Sequence, residues 1–210
     1  MLLEHQGKRP RVHDSAWVAP NAVVCGDVTT GADSRVLFGA VVTAEGGPVT
    51  VGSCCIIMET AVIRGTGKPP TTLGNHVLVG PRAYLTGCTV DDNAFLATGT
   101  TIFNGAHIGA GAEVRINGVV HLLTKVPPDV IVPIGWVAVG DPAEILPPQE
   151  HERIWAIQKP LDFPREVFGL ERGPVQRVMP ELTRRYSKAL GRHRDDREVF
   201  DEPRDRSSDD

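Results

Sequence analysis

Two groups of side chains in this 210-residue sequence have types and spacing suited to chemistry. Arg64, Arg82, Tyr84, Thr86 and Asn104 follow one another in the middle of the chain, with Glu45 and Glu59 just upstream. An arginine fork matches carboxylate or phosphate oxygens in pairs, so these residues are candidates for holding a small anion. Glu59 or Glu45 is also placed to neutralise Arg64 within the protein, since ion-pair networks imitate sites. The second group is His76, His107 and His121. A histidine beside bound coenzyme A can deprotonate an acceptor hydroxyl or amine, and His76, in LGNHVLVGP, is the best placed of the three for a base. No acyl-carrier motif accompanies any of them. Cys25, Cys54, Cys55 and Cys88 have no CxxC spacing, which argues against a zinc finger or redox pair and for small buried or corner residues.

The elements that must position these groups are written in sixes. VAPNAV, VCGDVT, TGADSR and VLFGAV open the series, LGNHVL and VGPRAY continue it, and LATGTT, IFNGAH, IGAGAE, VRINGV and VHLLTK follow. The first place of each unit is nearly always Val, Ile or Leu, and the fifth is usually small. A 3.6-residue helical period cannot give this pattern, whereas short strands joined by regular bends can. The sequence therefore predicts an all-β solenoid, a parallel β-helix in which three six-residue sides close one coil and each coil covers its neighbour. Glycines in the second place, such as Gly52, Gly74, Gly80 and Gly109, suit a bend with little room for a side chain.

Two stretches break the sixes, TAEGGPVT at 43–50 and GTGKPPTT at 65–72, and both are expected to project as loops. Residues 1–142 hold 20 of the 48 charged side chains and the last 68 hold 28, which places a boundary near Gly140-Asp141-Pro142. Residues 1–142 form the solenoid in this division and 143–191 a C-terminal helical arm. In the arm, Val175, Val178, Met179, Leu182, Tyr186 and Leu190 share one helical side that suits packing, and Pro180 is expected to start, kink or interrupt that helix. Residues 192–210 are polar and charged, a composition expected to be disordered.

A net charge of -4 without a basic cluster in the main body, and aromatics at 5%, leave neither an electrostatic footprint nor a stacking platform for nucleic acid. No run approaches the ~18 apolar residues of a membrane span, and the start MLLEHQGKRPRVHD has no signal-peptide pattern, so a cytoplasmic protein without membrane partners is expected.

The stretches GAVVTAEGGPVTVG, VGPRAYLTGCTVDDNAFLATGTTIFNGAHIG and VPPDVIVPIGWVAVGDPAEIL, with two inserts, a five-residue unit LTGCT and a VGDPA exit, resemble the γ-class carbonic anhydrases. That resemblance implies a left-handed β-helix with a C-terminal helix, assembled as a homotrimer. Members that hydrate carbon dioxide bind zinc between subunits through three histidines, which by register would fall at Arg64, Pro81 and Thr86. A loop arginine of such enzymes would fall at Thr43, its acidic neighbour at Glu45 and an amide pair at Ile56 and Met58, while Asn104 keeps a polar residue that the family places close to the site. Proline has no donor atom, threonine is a poor ligand and arginine stays cationic, so neither zinc nor another cofactor is expected at these positions. Without zinc, water keeps its pKa near ~15.7 and no hydration nucleophile forms at neutral pH. The expectation is a small anionic ligand at subunit clefts in a protein that does not hydrate carbon dioxide. A coenzyme A-dependent acyltransferase and a non-catalytic structural or assembly subunit are the alternatives.

Overall fold

First-place aliphatic residues form three inward columns in the computed structural model of the chain, which describes residues 1–67 and 69–199. Val36, Ile57, Val79, Leu96, Val114 and Val132 stack in register along one face, each fully buried. Val24, Val42, Ile63, Leu85, Ile102, Val120 and Ala138 stack along a second, and Val51, Leu73, Val90, Ile108 and Val126 along the third. Burying each such side chain is worth about 1.5–3 kcal/mol, so the core is one continuous apolar rod. The fold is a left-handed parallel β-helix of about eight coils followed by a short helical region.

The residue before each inward one points outward and gives each face its character. One face carries Trp17, Arg35, Ile56, Leu78, Phe95, Glu113 and Ile131, and is largely apolar. Another carries Thr50, Thr72, Thr89, His107 and Lys125, and is polar. The third carries Val41, Val62, Tyr84, Thr101, Val119 and Val137. Turns come at the fourth place, where left-handed φ recurs at His76 (57°), Arg82 (58°) and Asn93 (61°). Second-place glycines meet the coil above: a Cβ on Gly52 would stand 2.3 Å from the Gly74 carbonyl oxygen.

Register records every departure from the sixes. Phe95, Glu113 and Ile131 follow one another at steps of 18 residues, whereas Arg35 to Ile56 takes 21, Ile56 to Leu78 takes 22 and Leu78 to Phe95 takes 17. The two longer steps hold the inserts and the short one holds LTGCT. The first insert lies within the strand Val41–Val51, whose residues up to Ala44 and from Val49 onward keep register with both neighbours, while residues 45–48, four opposite the single Asp27, bulge out of the ladder.

The chain leaves the last coil through the strand Val137–Val139, which turns back antiparallel onto Glu144–Leu146. Helix α1 (His151–Gln158) buries Ile154 against Val139 and Leu146. Helices α2 (Phe163–Phe168) and α3 (Val175–Leu190) follow. Helix α3 continues through Pro180 rather than being interrupted there, since proline removes only one internal donor and the following turns carry Leu182 and Tyr186 toward the solenoid. The apolar side of α3 is only partly covered, with Val175 and Met179 exposed. Residues 192–199 are ordered, contrary to the composition-based expectation: a 3-10 turn (Gly191–Asp195) leads to Arg197–Glu198, which pairs antiparallel with Leu2–Glu4 at the open edge of the first coil. The rest of the expected disordered tail, 200–210, lies outside the described residues.

Candidate functional site

Coil geometry brings Thr43, Arg64 and Thr86 into one column, as register partners on three successive coils. Two residues past Thr43, Glu45 reaches the same guanidinium: Arg64 Nε donates to Oε1 at 3.2 Å and Nη2 to Oε2 at 2.5 Å. Arg64 Nη1 also donates to the Tyr84 hydroxyl at 3.2 Å, and Nη2 donates to the Tyr186 hydroxyl from α3. The fork is thus spent almost wholly inside the chain. Burial pulls the Arg64 pKa down, but the hydrogen bonds to Glu45, Tyr186 and Tyr84 more than offset this and raise it further above its already high value.

Beside this pair the short unit LTGCT makes a polar wall. Gly87, at φ 54°, lets Asn104 approach so closely that a Cβ there would stand 2.7 Å from Asn104 Nδ2. Asn104 in turn donates to Thr66 Oγ1 at 2.7 Å, and Thr66 and Thr86 hydroxyls lie 3.5 Å apart. Helices α2 and α3 close the space from outside with Phe163, Phe168, Leu182 and Tyr186, leaving a cavity of about 310 Å³. An edge-to-face chain of rings, Phe103–Phe163–Phe168–Tyr186, forms its apolar side, with centroids 5.8–6.2 Å apart. Arg185 also lines the cavity, its Nε bonded to Glu181 Oε1 at 2.6 Å. The cleft is therefore polar at its Arg64–Asn104 end and apolar along the chain of rings.

Of the residues singled out from the sequence, Arg64, Tyr84, Thr86, Asn104 and Glu45 meet here. Arg82 and Glu59 do not: both are exposed, and the Arg82 backbone N–H donates to the Glu59 carbonyl, because the fourth place of VGPRAY is a corner directed to solvent. His76 is excluded for the same reason, exposed at its own corner. His107 stands on the polar face bonded to Asp91 Oδ2 at 2.8 Å. The histidines offered for acyl transfer do not converge. His121 is nearest to the cavity, its ring 5.9 Å from Phe103, and burial lowers its pKa. Its Nδ1 is one of the buried side-chain atoms without a partner among the described residues. Cys25, Cys55 and Cys88 are buried and Cys54 exposed; burial pushes the Cys25 and Cys88 thiols up to about 12. Tyr186, Phe163 and Phe168 were not singled out as site residues, and only the apolar stripe containing Tyr186 hinted that α3 docks.

The zinc ligands implied by resemblance can be tested on this geometry. Arg64 is a cation fixed by Glu45, Thr86 faces Thr66, and Pro81 belongs to the corner at Arg82 and does not line the cavity. These residues do not fit a metal.

Fold and site together define a hexapeptide-repeat left-handed β-helix with a helix-capped cleft. A Bacillus cereus protein assigned to the acetyltransferases matches it with a TM-score of 0.60 at 24% identity, covering 89% of this chain and 96% of that one. A UDP-N-acetylglucosamine acyltransferase from Bacteroides fragilis matches at TM-score 0.55 and 14% identity, covering 92% and 87%. No family model matches the chain. In sequence it is 34% identical over 145 residues to γ carbonic anhydrase 1, mitochondrial, of Arabidopsis thaliana, covering 66% of this chain and 50% of the relative. It is 30% identical over 142 residues to a Methanocaldococcus jannaschii protein assigned as a carbonic anhydrase, covering 68% of this chain and 86% of the relative. The chain belongs to the γ-carbonic-anhydrase family, and it spans about half the length of its Arabidopsis relatives. Among the described residues, no helix is long and apolar enough to cross a membrane.

Proposed function

We propose that this family member has given up metal-dependent hydration and binds a small amphiphilic molecule, with an anionic head and an apolar body, in the cleft between solenoid and helices. The observation that carries this is the roughly 310 Å³ cavity with hydrogen-bonding groups at one end and aromatic rings at the other, a size and polarity division typical of small-molecule sites. Its binding end is displaced from the one the sequence suggests. Arg64 is already neutralised by Glu45, so a ligand carboxylate takes the place of the Tyr186 hydroxyl on the fork, or turns Arg185 inward from Glu181.

Trimeric assembly is part of the proposal. It is supported by the outward column Trp17, Ile56, Leu78, Phe95 and Ile131, whose exposed members form an apolar face wide enough for a neighbour to cover. Free thiols at all four cysteines suit a reducing compartment such as the cytoplasm.

A thermal-shift screen tests the reading: hexanoate, octanoate, benzoate and phenylacetate against their neutral amides, with coenzyme A as a separate arm. The expected result is stabilisation by carboxylates over amides, reduced in Phe103→Ala, together with no carbon dioxide hydration above buffer. Stabilisation by coenzyme A alone would move the assignment to acyl transfer, and no response to any compound would leave a structural subunit.

A further inference from the structure

Two coils before Arg64 in the same column, the C-terminal segment brings together four side chains suited to holding a metal ion. His5 and Cys25 come from the first two coils, whose adjacent strands pair Leu3 with Cys25; His193 and Asp196 come from the 3-10 turn and the residue after it. Asp196 sits at the centre. His5 Nδ1 stands 2.5 Å from its Oδ1, His193 Nδ1 2.8 Å from its Oδ2, and the Cys25 thiol 3.5 Å from Oδ2. The two imidazoles stack with centroids 4.3 Å apart, and His5 and Cys25 are both 3% exposed.

We propose that His5, Cys25, His193 and Asp196 form a divalent transition-metal site, zinc by preference, which clamps the C-terminal segment to the first coil. One donor atom from each lies within 4.8 Å of the others. A tetrahedral ion with bonds of about 2.0–2.3 Å holds its ligands roughly 3.3–3.8 Å apart, so the hydrogen bonds to Asp196 need open by only about an ångström. One thiolate, two imidazoles and one carboxylate are a donor set for zinc or cobalt rather than for magnesium or calcium, which take oxygen.

The surroundings also suit an ion. His5 Nε2 lies 2.7 Å from the Gln6 side-chain amide, which by turning its oxygen inward would accept the proton of a metal-bound ring and fix its orientation. A cleft of about 250 Å³, lined by His5, Gln6, Glu45 and Arg192, provides access from solvent. Burial, then the charge of Asp196, pushes the Cys25 thiol up to about 12, so metal binding by its thiolate would be accompanied by release of a proton. The site shares no donor with Arg64, Pro81 and Thr86, although Glu45, the partner of Arg64, lines its access cleft, and it does not depend on the ligand proposed for the cavity. Its consequence reaches that cavity through the chain, since the clamped turn directly follows α3.

The test uses the full chain, reduced and metal-stripped, titrated with Co²⁺ and separately with Zn²⁺. One Co²⁺ per chain is expected, with the intense visible bands of tetrahedral cobalt and a thiolate-to-cobalt charge-transfer band in the near ultraviolet. Cys25→Ser should remove the charge-transfer band, and His193→Ala, which alters a partly exposed side chain and leaves the core intact, should weaken binding at least tenfold. Thr86→Val, at one of the positions where the resemblance would put zinc, should leave the titration unchanged. Absence of stoichiometric binding by the wild type, or a cobalt spectrum indifferent to both Cys25→Ser and His193→Ala, would overturn the assignment.

Discussion

Replacing Arg64 by methionine should cost the protein about 3 kcal/mol, and replacing Glu45 in addition should cost less than Glu45→Met does on its own. Both side chains are 19% exposed, so the pair lies between two limits. Removing one partner of a fully buried pair costs about 3–5 kcal/mol because the other charge is left uncompensated. An exposed pair is worth about 0–1 kcal/mol. With four-fifths of each side chain covered and a two-point contact, about 3 kcal/mol is the expected cost of Arg64→Met, which for a chain of this size lowers Tm by about 6–12 °C. In Arg64→Met/Glu45→Met no charge remains to be stranded, and the double variant should lose about 2 kcal/mol less than the sum of the two single variants. Denaturant unfolding and thermal melts at one fixed protein concentration measure all four corners of the cycle. A melt for Arg64→Met within about 2 °C of wild type, or simple additivity in the double variant, would show that the guanidinium is free to serve a ligand and that the pair is incidental.

Gly52→Ala should lower Tm by about 6 °C or more, because its Cβ would meet the Gly74 carbonyl at 2.3 Å, while Gly191→Ala, with nothing within 4 Å, should change it by less than about 2 °C; equal melts would remove the close-approach reason for second-place glycines. His121 has its pKa lowered by burial, so as pH falls below about 6.5 the unfolded chain takes up the proton first and stability is lost; above that pH it is fully present. The fall in Tm between pH 7.5 and 5.5 should accordingly be steeper in wild type than in His121→Phe, and parallel curves would contradict a buried neutral imidazole.

The solenoid was legible because its physics is local. Each six-residue unit declares which residue points inward, and once the coil length is known, 18 residues adjusted by the inserts, Arg64 and Thr86 must be neighbours. Glu45 is one of two acids that the sequence offers as a partner for Arg64, and it is the one that pairs with it, while Glu59 is exposed. What the pattern does not carry is the docking of helices: Tyr186 lies 122 residues beyond Arg64 in the chain, and no periodicity links a helix to a particular coil. The same reason hid the ordering of residues 192–199, whose charged composition says nothing of the unpaired strand edge at Leu2–Glu4 that receives Arg197–Glu198. Arg82 and His76 misled for a different reason. Both were weighed as chemical groups, whereas the fourth place of a unit is a left-handed corner that turns its occupant toward water.

The ladder of coils also governs how this protein can change its length. Because Phe95 pairs with Glu113 and Glu113 with Ile131, deleting one residue between them would rotate every later inward side chain off its column. Deleting a whole coil of 18 would leave all of those columns aligned and simply shorten the rod. Heritable gain and loss of sequence in the uninterrupted part should therefore proceed in whole-coil quanta, while the coils bearing the inserts at 43–50 and 65–72, where the register has already been broken and mended, are the places where single residues can come and go.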